Sequence, residues 1–211
     1  VIGLSVALLA LVIVQGGLGG LRVIENEVQI ARIHGIVGPA FFALAVAFAV
    51  VTSRLWRSSQ QPASHDGAGK LQRLAVLTTG LVFVQLILGA HLRHLPVDWS
   101  PYAFRTFVLF HLFMAAALVF HIMLLTIRVA RQHRKNLALF APCLILAVLI
   151  VAQVGLGSAT WVVNYSWPQW AVQLGIGVGH TVQAGSYVQA MVVTLHQATG
   201  SLILGFAGVL S

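Results

Sequence analysis

Apolar residues along this chain come in long uncharged runs separated by short polar clusters. Val1–Leu21, Ile33–Ser53, Leu74–Leu92 and Thr106–Ile127 contain no Asp, Glu, Lys or Arg, and none occurs after Lys135. Each run has about the length a helix needs to cross a ~30 Å hydrocarbon layer at 1.5 Å per residue. The charge-free C-terminal stretch has room for two more crossings, near Leu137–Thr160 and Val188–Leu210. The pattern predicts an all-α integral membrane protein of six transmembrane helices.

Composition supports this: of 211 residues, 59% are hydrophobic, 8% are charged, and mean hydropathy is +0.93. A formal charge of +8 would suggest nucleic acid in a soluble chain, but its distribution is topological and no nucleic-acid partner is expected. Arg54, Arg57, Lys70 and Arg73 flank the second connection, and Arg128, Arg131, Arg134 and Lys135 crowd the fourth. Arg22, Arg32, Arg93 and Arg105 lie on the opposite side, offset by Glu25, Glu27 and Asp98. The positive-inside rule makes the eight-charge side cytoplasmic, with the N-terminus of the segment on that side. Trp99, Trp161, Trp167 and Trp170 then form an outer aromatic belt, with Trp56 at the inner face. The lone Cys143 allows no disulfide within the chain and reads as a buried apolar thiol. Val1 opens, and Ser211 closes, inside apolar runs, so both ends are expected to continue in a longer chain.

A motif recurs in step with the helices. Gln15-Gly16-Gly17-Leu18-Gly19, Gln85-Leu86-Ile87-Leu88-Gly89 and Gln153-Val154-Gly155-Leu156-Gly157 are offset by 70 and 68 residues. Each is followed downstream by a histidine opening the next apolar run, His34, His111 or His196, with a small residue four positions later: Gly38, Ala115 or Gly200. The spacing predicts three repeated hairpins. Residues 1–127 form a first four-helix half, 128–136 a basic cytoplasmic linker, and 137–211 the first two helices of a second half. Within the first half, Ser58 to Gly67 is a polar linker, and Gln169–Gly179 is expected to lie in the outer interface as a short helix.

An imidazole in a bilayer is costly without a partner and tends to mark function. His34, His111 and His196 fall near the outer ends of their helices, at one depth, and a pair on facing helices could close on one iron. Neutral imidazole also suits zinc and copper. Structural zinc would want four ligands, commonly with thiolates, and none is close in sequence, whereas haem needs two axial histidines and room for a flat ring. The glycines provide that room, although close helix packing explains them as well. Arg22, Arg32, Arg93 and Arg105 share the outer level and suit haem propionates. His121 lies about 15 Å deeper and roughly 80° round the helix from His111, and no histidine near Leu44–Phe48 matches it. His91 and His94 end the third long helix beside Arg93, where interfacial solvation accounts for them, while His65 and His133 belong to linkers.

Leu18-Gly19-Gly20-Leu21-Arg22, Ile33-His34-Gly35, Phe110-His111-Leu112, the Gly157 to Trp161 ending and Leu195-His196-Gln197-Ala198-Thr199-Gly200 together resemble the haem A synthase family of cytochrome oxidase assembly proteins. The resemblance spans essentially the whole chain. It implies two pseudo-symmetric four-helix halves in a bacterial cytoplasmic membrane, each with an outer-side haem site. By that likeness His34 and His111 would bracket haem O or its product haem A, and His196 would be one ligand of a haem b whose other ligand lies on a helix this sequence lacks. Candidate partners are haem O synthase, cytochrome oxidase or another membrane subunit. Two departures bear on activity: Ala31 stands where the family has a carboxylate one turn before the first histidine, and the first outer loop has no cysteine pair. Glu27, seven residues or about two turns before His34, is the nearest acid able to replace that carboxylate as the catalytic group. The expected function is therefore oxidation of haem O to haem A, with a non-catalytic b-type cytochrome as the alternative. A transporter is a weaker third, because the intramembrane charges such proteins often need are missing.

Overall fold

The computed structural model describes residues 2–58, 68–95 and 99–211, and every element among them is helical. In chain order these are α1 (Ile2–Glu25), α2 (Val28–Thr52), α3 (Arg54–Ser58), α4 (Ala68–Arg93), α5 (Pro101–Gln132), α6 (Leu137–Tyr165), α7 (Gln169–Gln173) and α8 (Tyr187–Leu210). Six of them, α1, α2, α4, α5, α6 and α8, are long and apolar enough to cross a membrane. A helix meets its own backbone hydrogen-bonding needs, so uniformly apolar segments of this length fold no other way in lipid.

The long helices overrun the uncharged runs because polar residues cap them. Ser100 accepts from the Ala103 N–H at 3.1 Å with Pro101 behind it, and Asn136 accepts from the Ala138 N–H at 3.1 Å. At α8 the Ser186 hydroxyl accepts from the Gln189 N–H at 3.2 Å while the Gln189 side-chain oxygen accepts from the Gly185 N–H at 2.7 Å, a reciprocal cap. The fifth connection is ordered: it holds the short α7, and Gly177 at φ +69° packs under Trp167, whose ring leaves no room for a β-carbon. The polar linker's residues 59–67, with His65, and the loop residue Asp98 lie outside the described residues.

Packing decides how the hairpins group. α4 packs on α5, α5 on α6, α6 on α8 and α8 on α4, which closes a four-helix bundle. The α1–α2 hairpin leans on it through α2, which contacts α8 and α4, while α1 touches α2 alone and buries no residue. The closed set of four is thus α4, α5, α6 and α8, whereas the sequence groups α1, α2, α4 and α5. The reason lies in α8. Its face of Ser201, Gly205, Ala207 and Gly208 lets it approach several neighbours, and Gly205 sits directly against Val46 and the Ala43 carbonyl of α2.

The bundle's two ends differ in character. Leu71, Ala75 and Val82 of α4, Ile122, Leu125 and Val129 of α5, Cys143 and Leu146 of α6, and Ile203, Leu204 and Ala207 of α8 fill one end as a continuous apolar core. Thr78 is fully buried among them and donates to the Leu74 carbonyl of its own helix at 2.7 Å. The histidine-bearing ends of α5 and α8 lie at the other end of the bundle.

Candidate functional site: a layer of histidines and glutamines

In each hairpin the first helix presents a Gln and, one turn later, a Gly on the same face. The histidine of the second helix settles on that glycine. β-Carbons added to Gly19, Gly89 and Gly157 would stand 3.3, 3.5 and 3.1 Å from Cε1 of His34, His111 and His196 respectively. The glutamine in turn settles over the small residue four positions after the histidine: Gln15 Nε2 lies 2.6 Å from a β-carbon on Gly38, and Gln153 Nε2 3.2 Å from one on Gly200. The first and third hairpins are thus keyed twice, ring on glycine and amide on glycine, and the second at least by its ring.

Hydrogen bonds reinforce the two N-terminal keys. Gln15 Nε2 donates to the His34 main-chain oxygen at 3.2 Å and lies 3.4 Å from His34 Nε2. Gln85 Nε2 does the same at His111, with distances of 3.0 and 3.2 Å. In the third hairpin the His196 ring interacts with the Gln153 backbone. In all three, the histidine Nδ1 and the glutamine Oε1 are buried without a hydrogen-bond partner.

That orphaned Nδ1 separates these rings from the other helical histidines. His91 Nδ1 lies 2.9 Å from the Ile87 carbonyl and His121 Nδ1 2.8 Å from the Ala117 carbonyl, each bonded to its own helix four residues back. His91 also stacks on Phe107. These two are satisfied side chains, His133 is the C-cap of α5, and His180 is exposed in the outer connection.

His111 and His196 sit on different hairpins. They belong to α5 and α8, which stand diagonally across the closed bundle without packing on one another. His34 belongs to the outlying hairpin, and α2 shares no packing contact with α5. Among the described residues no cluster of three or more His, Cys, Asp or Glu has metal-ligand geometry.

Arginines gather from three helices. Arg22 ends α1, Arg32 begins α2 and Arg93 ends α4, and all three act electrostatically on His94. Arg32 holds the His94 carbonyl at 2.8 Å and the Gln29 side chain at 3.0 Å, while its Nε is buried and unpaired. Burial first, and then Arg93, Arg22 and Arg32, push the His94 imidazole below its usual range. Arg93 also donates to Gln197, the neighbour of His196, and so ties α4 to α8. That Arg32 and His94 meet here was not signalled by spacing, since neither belongs to the repeated motif. Arg105 is exposed on the outer end of α5.

Glu27 is the N-cap of α2, exposed and making no side-chain cap bond. The helix begins at Val28, so the face-sharing argument linking Glu27 to His34 ends at the cap. Two cavities lie near these groups. One of about 310 Å³ opens beside Arg93 among Asn164, Ser186, Gln189 and Thr194, and another of about 250 Å³ lies between α2, α4 and α8 among Ala43, Thr79 and Gly205. None of the three motif histidines lines either one.

The donor set suits haem chemically, with half-buried imidazoles whose Nδ1 atoms have no partner and glycines beneath the rings. No protein-family model, curated protein or solved structure matches the chain.

Proposed function

We propose that this chain is a haem-binding membrane oxidoreductase of the bacterial cytoplasmic membrane, acting on haem O to produce haem A for cytochrome oxidase assembly. One observation carries the reading: His34, His111 and His196 each bury an Nδ1 that has no hydrogen-bond partner, whereas His91 and His121 bond theirs to their own helices.

Haem, when bound, supplies redox and oxygen chemistry at its iron. The chain's own residues bind and orient. His111 and His196 would hold the group within the bundle, and His34 is the further candidate on the outlying hairpin. Arg22, Arg32 and Arg93, joined by Arg105 on α5, offer guanidinium donors for the propionates. The sealed apolar core at the other end excludes water from that side.

A non-catalytic b-type cytochrome is the second reading, and the position of Glu27 favours it. Ala31 supplies no proton-handling group, and Glu27 is out in solvent at the α2 cap. The separating experiment co-expresses the protein with a haem O source in a host lacking its own haem A synthase, then extracts and chromatographs the pigment. Haem A supports the enzyme, and b-type haem alone supports the carrier. A colourless protein defeats both.

A further inference from the structure

The glutamines of the repeated motif have a chemical task beyond packing. A carboxamide nitrogen can only donate, and a carbonyl oxygen can only accept. The main-chain oxygens of His34 and His111, 3.2 and 3.0 Å from Gln15 and Gln85 Nε2, therefore fix which way each amide points. Turning the amide round would place its oxygen against a carbonyl oxygen and forfeit that bond. With the orientation set, the same NH₂ group faces ring Nε2 at 3.4 Å in His34 and 3.2 Å in His111. A ring nitrogen facing a donor must accept, so Nε2 carries the lone pair and the proton of the neutral ring belongs on Nδ1.

We propose that Gln15 and Gln85 are positioning residues that set the His34 and His111 tautomer, and that a metal binding at Nε2 takes that atom from a glutamine amide. The buried, partnerless atoms agree. His34 and His111 Nδ1 have no partner, as when the neutral ring makes its contact through Nε2, whereas His91 and His121 bond their Nδ1 to their own helices. An Nδ1–H tautomer leaves Nε2 as the ligating atom, and the amide shields that lone pair from adventitious protons until a stronger Lewis acid claims it.

Only the metal arm of this inference rests on the haem reading. The full-length protein, labelled with ¹⁵N-histidine in lipid nanodiscs without added haem, should show His34 and His111 with acceptor-type Nε2 and protonated Nδ1, assigned with His34→Gln and His111→Gln chains. Gln85→Glu replaces the donor with an acceptor, so His111 Nε2 should become protonated while His34 stays unchanged. In a ferric haem titration the same substitution should weaken uptake about 10-fold or more, the scale of outer-shell changes at metal sites. A protonated Nε2 on His34 or His111 in the unsubstituted protein, or a His111 spectrum indifferent to Gln85→Glu, overturns the proposal. If the tautomers are as stated but no haem is taken up, the tautomer assignment stands and the haem function falls.

Discussion

Gly205 of α8 and Val46 of α2 meet so closely that a β-carbon on Gly205 would stand 2.9 Å from Cβ of Val46 and 3.1 Å from the Ala43 carbonyl oxygen. Neither neighbour can swing aside: one is a branched carbon at its own backbone and the other is backbone. This contact docks the α1–α2 hairpin onto the bundle.

Gly205→Ala should therefore force α2 away from α8 and cost about 1–3 kcal/mol, the usual scale of overpacking. Gly89→Ala, whose β-carbon would meet His111 at an ordinary 3.5 Å, should be neutral or slightly stabilising through helix propensity. Thermal unfolding of both variants in one detergent checks the ranking, and an equal effect would refute the close-contact account.

His111→Ala and His196→Ala should each alter or abolish the optical and EPR signature of bound haem, because each removes an axial imidazole. His121→Ala should leave ligation untouched, since that ring is spent on the Ala117 carbonyl. Spectra of the first two that match the unsubstituted protein would remove the axial pair.

His94 gives stability a pH dependence of defined sign. Its folded-state pKa is lowered, by burial first and then by Arg93, Arg22 and Arg32, so the folded protein binds fewer protons than the unfolded chain just below the ordinary histidine value of about 6.5. Stability from this group is complete above that value and declines as pH falls toward the lowered pKa. His94→Gln should flatten the decline, and Arg22→Gln should shift it to lower stability loss by removing one repelling charge. Melting curves between pH 8 and 5 measure this; a slope unchanged by His94→Gln counts against it.

A reporter inserted after Arg134 should be active in the cytoplasm, and one inserted after Gly179 should be exported, as the eight-to-four division of Lys and Arg requires. The opposite pair of outcomes inverts the site to the cytoplasmic face.

The number of membrane helices was legible in the sequence because a hydrophobic run of about twenty residues has one stable backbone solution in lipid. The pairing of Gln15 with His34, and of Gln85 with His111, was foreshadowed by spacing, since a motif on one helix and a histidine on the next meet inside a single hairpin. Arg32 and His94 gave no such signal, because their meeting joins α2 to the end of α4 across 62 residues. How the hairpins assemble was settled only in three dimensions. Every face of these helices is apolar, so no hydrophobic stripe marks a partner, and association follows shape instead. The small residues of α8, Gly205 against Val46 above all, draw it between α2 and α4.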